Sequence, residues 1–243
     1  MKSILQEIVK HTHSLGISLV KITGEDKSTR ISGLKDDKTV VLEGKFKDPI
    51  TEFNTTFGMP NLDKLNVILN IPEYEKDATI SVTTRTNKDG EPILDGIRFV
   101  NKDGNFKNDY RFMVTNQINE KLKDIEYPTL KYQVKVTPSV VGLQKLKFQA
   151  QANSEKTTFF SRVDNKNLHF SFGDPSTHAG DFVFESNVTG SLTHAWQWPV
   201  SAVINILNLS GDKTLEISDS GVMRISVNSG IGDYTYYIPA QTK

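Results

Sequence analysis

Apolar and polar positions along the chain change period repeatedly. Between residues 3 and 15, Ile4, Leu5, Ile8, Val9 and Leu15 share one side of a helix, Lys2, Gln6, Lys10 and His13 line another, and Gly16 ends the element. Short β-rich runs follow at 17–23, 29–34 and 38–47, separated by turn residues at 24–26 and 35–37. A run at 51–58 leads into a helix after Pro60, with Leu62, Leu65, Ile68 and Leu69 as its buried stripe and Pro72 as its stop. Strands are predicted at 78–85, 93–100 and 106–114, joined by the hairpin signals at 87–90 and 101–104.

After a polar stretch at 115–129 the programme restarts. A strand at 130–136 precedes Thr137 and Pro138, read as the N-cap and N1 of a helix to about 151 that turns Val140, Leu143, Leu146 and Ala150 inward. Strands at 157–163, 167–173, 180–189 and 192–198 lead to a helix after Pro199, in which Val200, Val203, Ile204 and Leu207 recur at helical spacing. Gly211 ends it, and strands at 213–219, 222–228 and 232–238 finish the chain.

The two halves repeat one another. Phe57-Gly58-Met59-Pro60 and its helix return as Trp196-Gln197-Trp198-Pro199 and a second helix, each proline being expected at helix position N1. Pro60 and Pro199 are 139 residues apart, Asp77 and Asp212 are 135 apart, and Leu5 and Leu143 are 138 apart. A near-constant shift means two similar modules in tandem. The expected organisation is a first domain at 1–114, an extended connector at 115–129 and a second domain at 130–243. The fold class is α+β, each domain carrying two short helices on one face of an antiparallel surface.

Composition narrows the chemistry. The chain has 243 residues, enough for two domains of ordinary size, and 29 basic side chains balance 29 acidic ones, so no global field draws it onto nucleic acid. Cysteine is absent, which excludes disulfides and thiolate metal sites. The charged residues among the first fifteen and the lack of a long apolar run argue against a signal peptide or membrane span, and lead to an expectation of an intracellular protein. The glycosylation-type triplets at Asn54, Asn187 and Asn208 then carry no meaning.

Enzyme signatures fail individually. Gly211-Asp212-Lys213-Thr214 lacks the glycine spacing of a phosphate loop, since Ile206 stands where the first glycine is needed. Gly230 and Gly232 lie between two strands, without the third glycine and helix of a dinucleotide site. His11 and His13 are about 200° apart on a helix, and His169, His178 and His194 have no carboxylate at ligand spacing, so no metal or cofactor is expected. No serine elbow and no cysteine supply a nucleophile, and no catalysis is expected.

The order of helix, three strands, strand, helix and three strands, written twice, resembles the sliding clamps, the DNA polymerase processivity factors that close into rings around duplex DNA. Its two-module size resembles the trimeric type, which includes proliferating cell nuclear antigen and the clamps of tailed phages. The ending Tyr234-Thr235-Tyr236-Tyr237-Ile238-Pro239-Ala240 is similar to the Tyr-Tyr-Leu-Ala-Pro ending of trimeric clamps, and Gly142-Leu143-Gln144-Lys145-Leu146 resembles the Asp-Leu-Gln-Gln-Leu helix start of phage clamps.

The resemblance implies a homotrimeric ring that encircles double-stranded DNA without reading its sequence. It also implies tethering of a DNA polymerase, loading by an ATP-dependent clamp loader, and a place in the cytoplasm of a bacterial host. On the family's plan the DNA-facing residues are Lys2, Lys10, His13, Lys64, Lys145 and Lys147, while the fourth helix departs from it, presenting uncharged Ser201, Asn205 and Asn208. The partner-peptide pocket is implied at Leu34, Val40, Val41, Ile125, Tyr127, Pro128, Tyr237, Ile238, Pro239 and Ala240, and the subunit interface at Phe112, Val114, Phe182 and Phe184. Two readings compete with this one: a β-rich virion or tail component assembling through edge strands, and a carbohydrate-binding module resting on exposed aromatics.

Overall fold

The structure is a computed structural model and describes residues 1–86, 90–123, 129–176 and 178–241. Its contacts divide the chain into two units, Met1–Lys38 with Leu42–Ile125, and Thr39–Val41 with Glu126–Lys243.

In the first unit, helix α1 (Lys2–Lys10) and a 3-10 turn at His13–Leu15 end at Gly16, whose φ of 70° is left-handed backbone that glycine adopts without a Cβ clash. Strands β1 (Leu19–Glu25), β2 (Ser28–Leu34), β3 (Val41–Phe46) and β4 (Thr56–Pro60) follow, then helix α2 (Leu62–Leu69). Their sheet runs in the order β4-β1-β2-β3. Strands β5 (Thr79–Thr86), β6 (Pro92–Val100) and β7 (Lys107–Arg111) make a second, three-stranded antiparallel sheet.

The second unit repeats the plan. Strand β8 (Val134–Val136) precedes helix α4 (Val140–Ala152), and strands β9 (Thr158–Asp164), β10 (Asn167–Gly173), β11 (Ala179–Ser186) and β12 (Trp196–Pro199) form a sheet in the order β11-β10-β9-β12. With β9 to β12 set against β1 to β4, the two sheets have the same topology. Helix α5 (Val200–Asn208) and strands β13 (Asp212–Ser218), β14 (Val222–Asn228) and β15 (Gly232–Pro239) complete the unit, the last three running in the order β15-β14-β13-β8.

Each unit has its own core. Leu5 and Ile8 of α1, Val20 and Ile22 of β1, Met59 of β4 and Leu62 and Leu65 of α2 are buried in the first. An aromatic cluster extends it, with Phe57 stacked on Phe112 at 4.2 Å and Phe53 edge-on to Phe57 at 5.1 Å. In the second unit Phe159, Phe170, Phe172 and Trp198 are buried, and the Trp198 indole N–H donates to Ser161 Oγ at 2.8 Å, so the one polar atom of that ring is satisfied.

The helix starts differ from expectation. Pro60 is the last residue of β4, and Asn61, with φ of 54°, is the N-cap of α2, while Pro199 is itself the N-cap of α5. Helix α4 is capped by Ser139, whose hydroxyl accepts from the Gly142 N–H at 2.9 Å, in place of Thr137. Its buried residues are Gly142 and Leu146, and Val140 is 75% exposed. A Cβ on Gly142 would meet the Phe184 carbonyl oxygen at 2.5 Å, so the helix closes onto β11 through a glycine.

The polar stretch at 115–129 is not extended throughout. Thr115–Lys121 is helix α3, anchored by Ile118 with no exposed surface, and a Cβ on Gly58 would meet the Ile118 side chain at 2.8 Å. One buried isoleucine in a socket supplied by β4 holds a segment whose own sequence is almost wholly polar.

Candidate functional site

Three surfaces carry the residues singled out by sequence: the exposed faces of the helices, the sheet edges and the end of β15. Each is set by the period of its element, which sends alternate or fourth residues outward.

On α1, Lys10 and Gln6 are exposed and Lys2 is half-buried, its ammonium donating to the Tyr74 carbonyl at 2.6 Å. Lys2 is therefore tied to its own unit, unlike an outward-reaching lysine. His13 is exposed, 3.4 Å from the Asp63 carboxylate on α2, while His11 is fully buried 3.2 Å from Glu7. The two histidines point to different surroundings, as their angular separation requires. Lys64 on α2 and Lys145 and Lys147 on α4 are exposed. Along α5 the exposed positions are Ser201 and Asn208, with Asn205 half-buried, all uncharged.

Among the described residues of its unit, strand β7 pairs with β6 at the end of the order β5-β6-β7, and β11 is the outer strand of the order β11-β10-β9-β12. Both strands are thus edges of their own sheets; β11 carries Phe182 and Phe184, whereas β7 ends just before Phe112 and Val114. Their outer faces are ionic. Arg98 Nε donates to Asp109 at 2.9 Å across β6 and β7, a bond that raises the arginine's pKa further, and Asp95 pairs with Arg85 and Arg111.

On β11, Asp181 accepts from Ser171 at 2.6 Å and from Arg162 at 3.1 Å, and its carboxylate lies 3.1 Å from His169 Nδ1. Partial burial alone would raise the Asp181 pKa; the Ser171, His169 and Arg162 contacts outweigh it and hold the carboxyl below its usual range.

The aromatic residues of these edges correct the expectation. Phe184 is buried, stacked on Phe170 at 4.3 Å, and Phe112 is half-buried against Phe57. Both side chains serve the core of their own unit. Phe182, edge-on to Phe170, and Val114, the N-cap of α3, remain half-exposed. A β-bulge between Leu168 and His169 shifts the register opposite Phe184, which alternation alone does not foresee.

Of the pocket residues, Ile125, Tyr127 and Pro128 lie outside the described residues. Leu34 lines a cavity of about 420 Å³ in the first unit with Leu19, Lys35, Pro60, Met113, Lys121 and Leu122, between the end of β2 and the end of α3. Val40 and Ile238 are fully buried, Val41, Tyr237 and Ala240 are half-buried, and Pro239 is exposed.

Tyr237 continues a row that sequence reasoning missed. Lys135, Glu216, Arg224 and Tyr237 stand opposite one another across β8, β13, β14 and β15, Arg224 pairs with Glu216 at 2.6 Å, and its guanidinium lies 4.1 Å above the Tyr132 ring. Desolvation lowers the Arg224 pKa, but Glu216 together with Tyr132 and Tyr237 more than offsets it, and the net shift is upward. The polar half of each strand's alternation was the available signal, because like positions on neighbouring antiparallel strands become neighbours.

No protein-family profile and no curated protein matches the chain by sequence. Solved structures match it by fold. PCNA of A. fulgidus bound to the C-terminal region of FEN-1 aligns with a TM-score of 0.72 at 11% identity, covering 100% of this chain and 96% of that one. PCNA of Thermococcus kodakaraensis gives 0.68 at 14% identity over 98% and 97% of the two chains. The PCNA2–PCNA3 complex of Sulfolobus tokodaii gives 0.64 at 12% identity, again over 98% and 97%. From end to end, the chain has the fold of the PCNA-type sliding clamps.

Proposed function

We propose that this chain is a ring-forming sliding clamp that encircles duplex DNA and tethers a replicative DNA polymerase, with no catalysis of its own. The observation that carries the reading is the fold correspondence with PCNA structures over 98–100% of this chain and 96–97% of theirs. The physics agrees with it. A ring held on DNA by topology needs mobility more than affinity, so a neutral chain with a few exposed lysines on its helices, Lys10, Lys64, Lys145 and Lys147, is suited to the task.

Three chains would close the ring through the edges of β7 and β11, a heterologous contact that rotation closes. Clients would dock by a short segment, as the C-terminal region of FEN-1 does on the A. fulgidus protein. In the second unit the docking surface would be built from Val41, Tyr237, Pro239 and Ala240. Placing the ring on DNA would require an ATP-dependent clamp loader, and a phage clamp would work in the cytoplasm of its bacterial host.

The test is mass and topology. Light scattering should give three times the mass of the 243-residue chain, and protein loaded on nicked circular DNA should stay bound until the circle is linearised. Retention that ignores linearisation, or a particle that is not trimeric, would overturn the proposal.

A further inference from the structure

Helix α4 exposes side chains that its own fold does not explain. Val140, Val141 and Phe148 are 75%, 60% and 68% exposed, on a helix whose buried contacts are made by Gly142 and Leu146. A lone exposed apolar residue is ordinary; three on one helix, including a phenylalanine, are not. Lys145 stands three residues before Phe148 on the same face, and α4 contains no acidic residue.

The arrangement recurs in the other unit. Lys64, buried Leu65 and exposed Val67 on α2 have the spacing of Lys145, buried Leu146 and exposed Phe148 on α4, and Val67 is 65% exposed. Each unit thus places a lysine and an apolar side chain three residues apart on one exposed helix face, where such residues are neighbours.

We propose that these apolar side chains are contacts for duplex DNA, with Phe148 resting on the deoxyribose rings and groove edge of one strand while Lys145, on the same helix face, neutralises a flanking phosphate. This rests on the clamp reading and adds to it a component of DNA contact that is not ionic. The occupant follows from charge. A second α4 would bring lysines against lysines, whereas a nucleic-acid strand offers the alternation of anionic phosphate and apolar sugar that lysine beside phenylalanine matches. Lysine contacts weaken with salt through counterion release and the Phe148 contact does not, so the two are separable.

The experiment is fluorescence anisotropy of a short labelled linear duplex, onto which a ring can thread from an open end without a loader. The duplex is titrated, from low to physiological salt, with the full chain, the Phe148→Ala chain and the Lys145→Ala chain, to concentrations that reach weak equilibrium binding. Phe148 is exposed, so its replacement leaves the fold intact, and light scattering checks the assembly of each variant. Phe148→Ala should weaken binding several-fold by the same factor at every salt, with the slope of log K against log salt unchanged. Lys145→Ala should reduce that slope by about one.

Binding by Phe148→Ala equal to that of the unaltered chain, or absence of duplex binding by the unaltered chain, overturns the inference. So does a change in assembly mass on Phe148→Ala, which would make the patch a protein contact. Failure of the clamp reading is seen separately, in the trimer mass and in retention on circular DNA.

Discussion

Asp181 sits on the outer strand β11 with its partners on three neighbouring residues, the Ser171 hydroxyl, the Arg162 guanidinium and the His169 ring. Those contacts favour the charged carboxylate over the neutral acid and depress its pKa in the folded chain. A depressed folded pKa contributes stability above the unfolded carboxylate range, and that stability is lost as pH falls through the folded value. Replacing Asp181 by Asn should therefore lower the urea midpoint at neutral pH, and the gap between the two proteins should close on acidification to about pH 2. The effect should be modest because the side chain is 44% exposed and water screens it. An equal gap at both pH values would mean that the network acts through shape instead of charge. Sequence alone placed Asp181 on a strand, but its partners come from β9 and β10, and no local pattern names them.

At the scale of elements, α4 depends on its start. Ser139 accepts the Gly142 N–H at 2.9 Å, and the Ser139 N–H donates to Glu185 of β11, so the cap ties the helix to the sheet beneath it. Ser139→Ala should cost about 1 kcal/mol in denaturant unfolding and Ser139→Asp should recover most of it, because either oxygen serves as a cap. Equal loss in both variants would show that hydroxyl packing, and not capping, holds the position.

Periodicity revealed four helices and the succession of strands along the chain because their buried faces repeat at 3.6 or 2 residues. It failed at α3, where Ile118 alone is buried and the socket that receives it belongs to β4. It also misled at the outset of α4, where Val140, expected to turn inward, is 75% exposed. In both places the missing information is tertiary: a distant glycine admits one side chain, or the surface of a helix carries residues that its packing does not use.

For the whole molecule, the duplicated plan was legible as a shift of near-constant length, and the structure repeats it as identical strand orders in the two sheets that begin the units. The faces of the edge strands were less legible, since Phe112 and Phe184 look like contact residues yet pack inward, leaving the outward positions to charged and small side chains. If β11 pairs with a neighbouring chain in the proposed ring, association must come from its backbone and from half-exposed residues such as Val183, which lies opposite His169 of β10. A lysine on an edge strand is a recognised barrier to edge-to-edge pairing, because joining the strands would require its charge to be buried. Val183→Lys should consequently convert trimer to monomer in light scattering. The thermal midpoint of the separate chain should stay within a few degrees of its original value, as expected of a surface change. Monomers cannot be held on a closed circle by topology, so retention on circular DNA should vanish with the trimer. Were assembly to survive this substitution unchanged, β11 would not be the joining edge, and the closing contact would have to be sought on another strand.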